Sequence, residues 1–204
     1  MGSVTQLMGA EVVMADGTVL VTEEILYTIS LERCVDLIWK DMIEHEDMVA
    51  GLDVTWYQYN SLDYIPLLAI CIRIDCVLIR FGGFIFGHLP QSLQRFLNNK
   101  NISFVGVHIK EDVNRSIRNN LPLEIRNAVD VGELAADVLH QPRLRGLGLE
   151  RLAAEVLELP FRSRSSRMAQ VYYRGSLRLE MNEIESLTTD AYVAYKLGKK
   201  LLGF

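Results

Sequence analysis

"VAGLDVTW", residues 49–56, decides how the chain is read. Val49, Leu52, Val54 and Trp56 mark a strand apolar enough to be buried, yet Asp53 stands inside it. An ionised carboxylate in a sheet interior is costly unless a partner charge or a metal ion compensates it. The stretch therefore predicts a central strand with an acid of some purpose on it, and it asks for that acid's partners elsewhere in the chain.

Composition frames the search. At 204 residues, half of them hydrophobic, with 14 Gly and 5 Pro, the chain suits one folded domain spanning 1–204 with a core that needs no staples. Cys34, Cys71 and Cys76 are an odd number without CxxC or histidine spacing, and read as reduced core thiols. His45, His88, His108 and His140 are scattered and receive no role. The start shows no basic, then apolar, secretory pattern, and Gln6 stands where a myristoylation signal needs Ser or Thr. The most apolar stretch, 65–86, is broken by Arg73, Asp75 and Arg80, so it reads as paired strands and not as a membrane helix. The expectation is a soluble, intracellular protein, nuclear or cytoplasmic, with no membrane partner.

Order along the chain points to an α/β fold. Asp16-Gly17 between apolar runs predicts a hairpin over about 11–22. Ser30 is the expected cap of a helix running to about Ile43, two strands are expected within 67–81, and Pro90 should open a short helix to about Asn98. Ile102 to Ile109 reads as one continuous strand that delivers a second acid, Asp112, just past its end. Helices are expected at 112–120, 130–140, 147–158 and 183–202. Strands first and strand-helix units afterwards predict a mixed central β-sheet flanked by helices.

The last of these helices carries a third acid. Ile184, Leu187, Ala191, Ala194, Leu197 and Leu201 form its inward stripe, and Asp190 borders that stripe. Carboxylates gathered on a rigid sheet suit hard divalent cations, and two such ions serve phosphodiester cleavage. Spacing alone leaves the alternative that each aspartate is a separate buried cap. Charge offers a second lead: residues 143–178 hold eight Arg against three Glu in a chain of net charge −5. Arg162, Arg164 and Arg167, with Tyr172 and Tyr173 nearby, make a candidate grip on phosphates and bases, the alternative being a solvated edge.

"VAGLDVTW", "FVGVHIKEDVNRS", "NLPLEIRNAVDVGELAADVL", "LRGLGLERLAAEVL" and "TTDAYVAYKLGKKLL" occur in the order found in 3′-5′ exonucleases of the DEDD superfamily, and the chain most resembles the plant Werner-type exonuclease-domain proteins from about residue 11 onward. The resemblance implies a ribonuclease H-like fold, two divalent ions (Mg²⁺ or Mn²⁺) and stepwise removal of nucleotides from a DNA or RNA 3′ end. Carried over residue by residue, it assigns catalytic aspartates at Asp53, Asp112 and Asp190, with Asp53 and Asp190 as metal ligands.

Two positions depart from the pattern. Thr55 stands where the first motif's glutamate belongs. Ser186 stands four residues before Asp190, where the tyrosine variant places the group that orients water, and Glu185 stands where the histidine variant would have His. Tyr192 is no substitute, since it points about 200° round the helix from Asp190. Losing such a group commonly costs about 10- to 100-fold, and losing a carboxylate also removes a full charge from a dication site. The sequence therefore favours an exonuclease-like platform that binds nucleic acid, or a protein partner, with impaired hydrolysis and a weakened metal site. The alternative is a slow, Mg²⁺-dependent 3′-5′ exonuclease that uses the three aspartates alone.

Overall fold

The computed structural model describes residues 9–25, 28–59, 62–80, 89–118, 123–159 and 179–203. Strands β1 (Gly9–Val13) and β2 (Val19–Ile25) form the expected hairpin, and Gly17 adopts φ +83° in its turn, where a side chain would be strained. Helix α1 (Thr28–Glu44) follows, then the long strands β3 (Val49–Tyr59) and β4 (Leu62–Ile72) and the shorter β5 (Asp75–Arg80). Next come α2 (Gln91–Leu97), β6 (Ser103–Gly106), α3 (Ile109–Arg118), β7 (Ala128–Asp130) and α4 (Val131–Val138). Helix α5 (Leu149–Leu152) passes into a π-turn over Ala153–Leu157, and α6 (Met181–Leu202) closes the chain.

The seven strands make one mixed sheet in the order β1-β2-β5-β4-β3-β6-β7. Strands β3, β4 and β5 pair antiparallel, whereas β6 and β7 continue the sheet parallel to β3. Strand alternation divides the apolar residues between two cores. Leu67, Ala69 and Cys71 of β4 face α4, α5 and α6, while Leu68, Ile70 and Ile72 face α1 and α2. The three cysteines are free and buried, as expected of core thiols. Among the described residues no helix is long and apolar enough to cross a membrane.

Several expected boundaries move, each for a local reason. Helix α1 begins at Thr28, so Ser30 lies within its first turn and does not cap it. The strand expected over 102–109 stops at Gly106, because His108 adopts φ +57° and its carbonyl oxygen accepts the amides of Glu111 and Asp112 at 2.9 and 3.0 Å. The apolar run reads on to Ile109 because that side chain enters the α1/α2 core from a helix. Asp112 accordingly sits in the first turn of α3 and not at a strand end. The helix expected over 147–158 is a four-residue α-helix that widens into the π-turn and ends on Glu158 at φ +58°.

Candidate active site

Close approach between α6 and β3 builds the site. On β3, Gly51, Asp53 and Thr55 share one face of the strand. A methyl group placed on Gly51 would stand 2.1 Å from the carbonyl oxygen of Ala191 and 2.5 Å from the amide nitrogen of Tyr195. Only glycine admits the α6 backbone so close. At the far end of the helix, Gly198 does the same against Val105 of β6. The Tyr195 hydroxyl donates to Asp47 Oδ2 at 2.6 Å, just ahead of β3, so α6 runs antiparallel to the strand. Helix residues before Ala191 therefore lie over strand residues after Gly51. That placement sets Asp190, 2% exposed, on the Asp53 side of the contact, with Ser186 one turn further along.

Asp112 reaches the site from α3. Trp56 Nε1 donates to Asp112 Oδ1 at 2.6 Å, and the Arg115 guanidinium lies 4.4 Å above the Trp56 ring, a cation–π stack. The ladder between β3 and β4 is irregular between Thr55 and Tyr57, a bulge of the kind that redirects side chains beside functional sites. Burial pushes the Asp53 carboxyl up to about 6. Burial also pushes Asp112 up to about 7, with the Trp56 hydrogen bond pulling it down and the charge of Asp53 pushing it further up. The two carboxylates are thus near enough to feel each other's charge, and near neutral pH they compete for protons.

The positions that depart from the exonuclease pattern are in the same region. Thr55 follows Asp53 on the same face, and Ser186 is buried with its hydroxyl lacking a hydrogen-bond partner among the described residues. Such an orphan is a group that a water or a ligand oxygen would satisfy. The donors as they stand do not fit a two-ion centre. Among the described residues no three His, Cys, Asp or Glu side chains are grouped so as to hold a metal ion, and an indole N–H occupies one oxygen of Asp112. Arg162, Arg164, Arg167, Tyr172 and Tyr173 lie outside the described residues. Tyr192 is engaged elsewhere, its hydroxyl donating to Asp16 Oδ2 at 2.9 Å and lying 3.0 Å from the Thr18 hydroxyl in the hairpin.

The sequence reading missed Trp56 and Arg115 as a pair. A signal was available, since Trp56 directly follows Thr55 and Arg115 stands three residues after Asp112 on one helix face.

No protein-family model matches the chain. The RISC-interacting clearing 3′-5′ exoribonuclease 1 of Arabidopsis thaliana is 33% identical over 82 residues, which is 40% of this chain and 40% of that protein. The chain is thus aligned with less than half the length of that relative. Among solved structures, the EXD2 exonuclease domain soaked in Mg and GMP is 26% identical with TM-score 0.50, covering 90% of this chain and 89% of that one. The catalytic core of RRP6 from Trypanosoma brucei is 15% identical with TM-score 0.68, covering 95% and 49%. The chain has the ribonuclease H-like fold of the DEDD 3′-5′ exonuclease domains.

Proposed function

We propose that this chain is an exonuclease-fold protein that binds nucleic acid at the Asp53/Asp112 cleft and has lost, or strongly reduced, phosphodiester hydrolysis. One observation carries the reading. Trp56 and Arg115 hold Asp112 by an indole hydrogen bond and a stacked cation in a site where Thr55 has replaced a carboxylate. A site built for two dications gains from every free carboxylate oxygen, and here one carboxylate is missing and another is engaged by protein. In this reading Asp53, Asp112 and Asp190 are the acids left to the site, and Arg162, Arg164 and Arg167 are the residues expected to contact phosphate. The Arabidopsis relative is named as an exoribonuclease, so RNA 3′ ends are the first ligand to try.

The experiment is a 3′-5′ degradation assay on labelled single-stranded RNA and on a 3′-recessed DNA duplex, with Mg²⁺ and with Mn²⁺. The chain itself should bind and not degrade. Thr55→Glu restores the missing carboxylate and Ser186→Tyr the water-orienting group. The double variant should gain Mg²⁺-dependent activity beyond either single change, because groups that act as a unit fail as a unit. Removing Asp53 from the double variant should abolish the gain. Degradation by the unaltered chain at the rate of the double variant would replace this reading with that of a working exonuclease that uses the three aspartates.

A further inference from the structure

On the sheet face opposite Asp53 and Asp190, a cleft of about 290 Å³ opens between α1 and strands β2 and β5. Ile38, Ile72 and Val77 line it from the α1/α2 core, and Glu23, Asp41 and Asp75 bring carboxylates to it. Around it stand three large apolar side chains left in solvent: Val21 at 41% exposure, Leu37 at 54% and Ile74 at 49%. Ile74 joins the group because its carbonyl oxygen accepts the Val21 amide at 2.9 Å. An apolar cleft ringed by exposed aliphatic residues is a surface shaped for a partner.

Charge identifies the partner's chemistry. Arg73 answers Asp41 in an ion pair at 3.0 Å, but Glu23 and Asp75 have no salt bridge among the described residues. The negative field is felt inside the cleft. Burial pushes the Cys34 thiol up to about 12, and the charges of Glu23 and Asp75 add to that rise. Asp75 is likewise raised, by burial and by the neighbouring Asp41, with the charge of Arg73 offsetting part of the rise. A phosphate-bearing ligand would be repelled by the carboxylates here, and the volume lies at the small end of the range of ligand sites. It suits one or two inserted side chains.

We propose that this cleft docks a short segment of a protein partner carrying an aliphatic side chain beside an arginine or lysine. The aliphatic group fills the floor between Leu37 and Val77, and the cation sits between Glu23 and Asp75. Docking here does not cover Asp53, because that residue projects from the other face of the sheet. The chain would then hold a nucleic acid and a basic protein segment at once, whether or not it retains hydrolysis.

The test uses the full chain and a fluorescein-labelled octapeptide of alternating leucine and arginine, with fluorescence anisotropy as readout. Glu23→Gln with Asp75→Asn should weaken binding on the order of 10-fold, the loss expected for two partly buried charge contacts, and should flatten its salt dependence. Leu37→Ser should weaken binding by a similar factor without changing the salt dependence. Glu32→Gln, on the exposed side of α1, controls for general attraction to an acidic protein. Two-dimensional NMR of each variant verifies the fold, and in the wild type it should map the peptide to residues 21–23, 37–41 and 75–77. Equal affinity in wild type and the Glu23/Asp75 variant, equal loss in Glu32→Gln, or shifts mapping elsewhere would overturn the proposal. So would sedimentation showing that the cleft is closed by a second copy of the chain.

Discussion

Gly51→Ala probes the contact on which the whole site depends. The added methyl carbon would lie 2.1 Å from the Ala191 oxygen and 2.5 Å from the Tyr195 nitrogen, both backbone atoms of a 22-residue helix. Ordinary contact needs about 3.5 Å, so α6 must retreat by roughly 1 Å or β3 must buckle. Overpacking a well-packed interior costs about 1–3 kcal/mol when side chains can yield. Here the obstacle is backbone, and retreat also loosens the buried Tyr195–Asp47 hydrogen bond of 2.6 Å and the fit of Gly198 on Val105. The expected cost is therefore about 3 kcal/mol or more, a drop of roughly 6–12 °C in melting temperature for a chain of this size. Gly146→Ala is the control. Its φ is +76° with nothing within 4 Å of the added carbon, so it pays only the backbone strain of about 1 kcal/mol. Chemical denaturation and calorimetry of the two variants give the comparison. A Gly51→Ala cost no greater than that of Gly146→Ala would mean that α6 does not press on β3, and the placement of Asp190 on the Asp53 side of that contact would fall with it.

Other outcomes follow from the site's hydrogen bonding and charge and from the arginine-rich segment. Trp56→Phe removes the hydrogen bond that lowers Asp112, so the Asp112 midpoint should rise above about 7, as read by carboxyl ¹³C NMR. Asp53 and Asp112 are both raised from an ordinary 3.8, to about 6 and about 7, so the folded chain holds their protons more tightly than the unfolded one; stability contributed by these groups is full below about pH 4 and is lost as pH rises to about 7. Asp53→Asn should then stabilise the chain more at pH 8 than at pH 4 in denaturant titrations, and should lower the Asp112 midpoint by removing a like charge. Replacing Arg162, Arg164 and Arg167 together by alanine should weaken single-strand binding and reduce its salt slope by about 0.7 per lost phosphate contact, whereas an unchanged slope would make these residues a solvated edge.

What could be read in the sequence, and what could not, divides along a physical line. Alternation and turn chemistry are local, so β1, β2 and the mixed sheet were legible from Asp16-Gly17 and from apolar runs alone. The stripe of α6 was legible as well, because 22 residues give its period room to show. Short elements were not. The run from Ile102 to Ile109 is apolar but for Ser103, Gly106 and His108, yet it is four residues of strand, a left-handed His108 and the start of a helix, since both halves bury against the same core. Periodicity cannot separate a buried strand from a buried helix start over eight residues.

The site was half legible for the same reason. Asp53 announced itself as an acid in an apolar strand, and the motif resemblance pointed to Asp112 and Asp190 as its companions. Their environment is a matter of tertiary distance. Gly51 reads as a mildly unfavourable strand residue until the helix backbone is placed 2.1 Å from its missing methyl group. Trp56 reads as a core aromatic until its N–H is found on Asp112. That contact also alters the meaning of Thr55. A carboxylate at position 55 would stand next in sequence to an indole whose N–H is already committed to Asp112, under the cation of Arg115. Under the proposed reading, Thr55→Glu supplies one carboxylate but leaves Asp112 engaged, so the gain of hydrolysis by Thr55→Glu should be incomplete unless a bound dication draws Asp112 away from the indole.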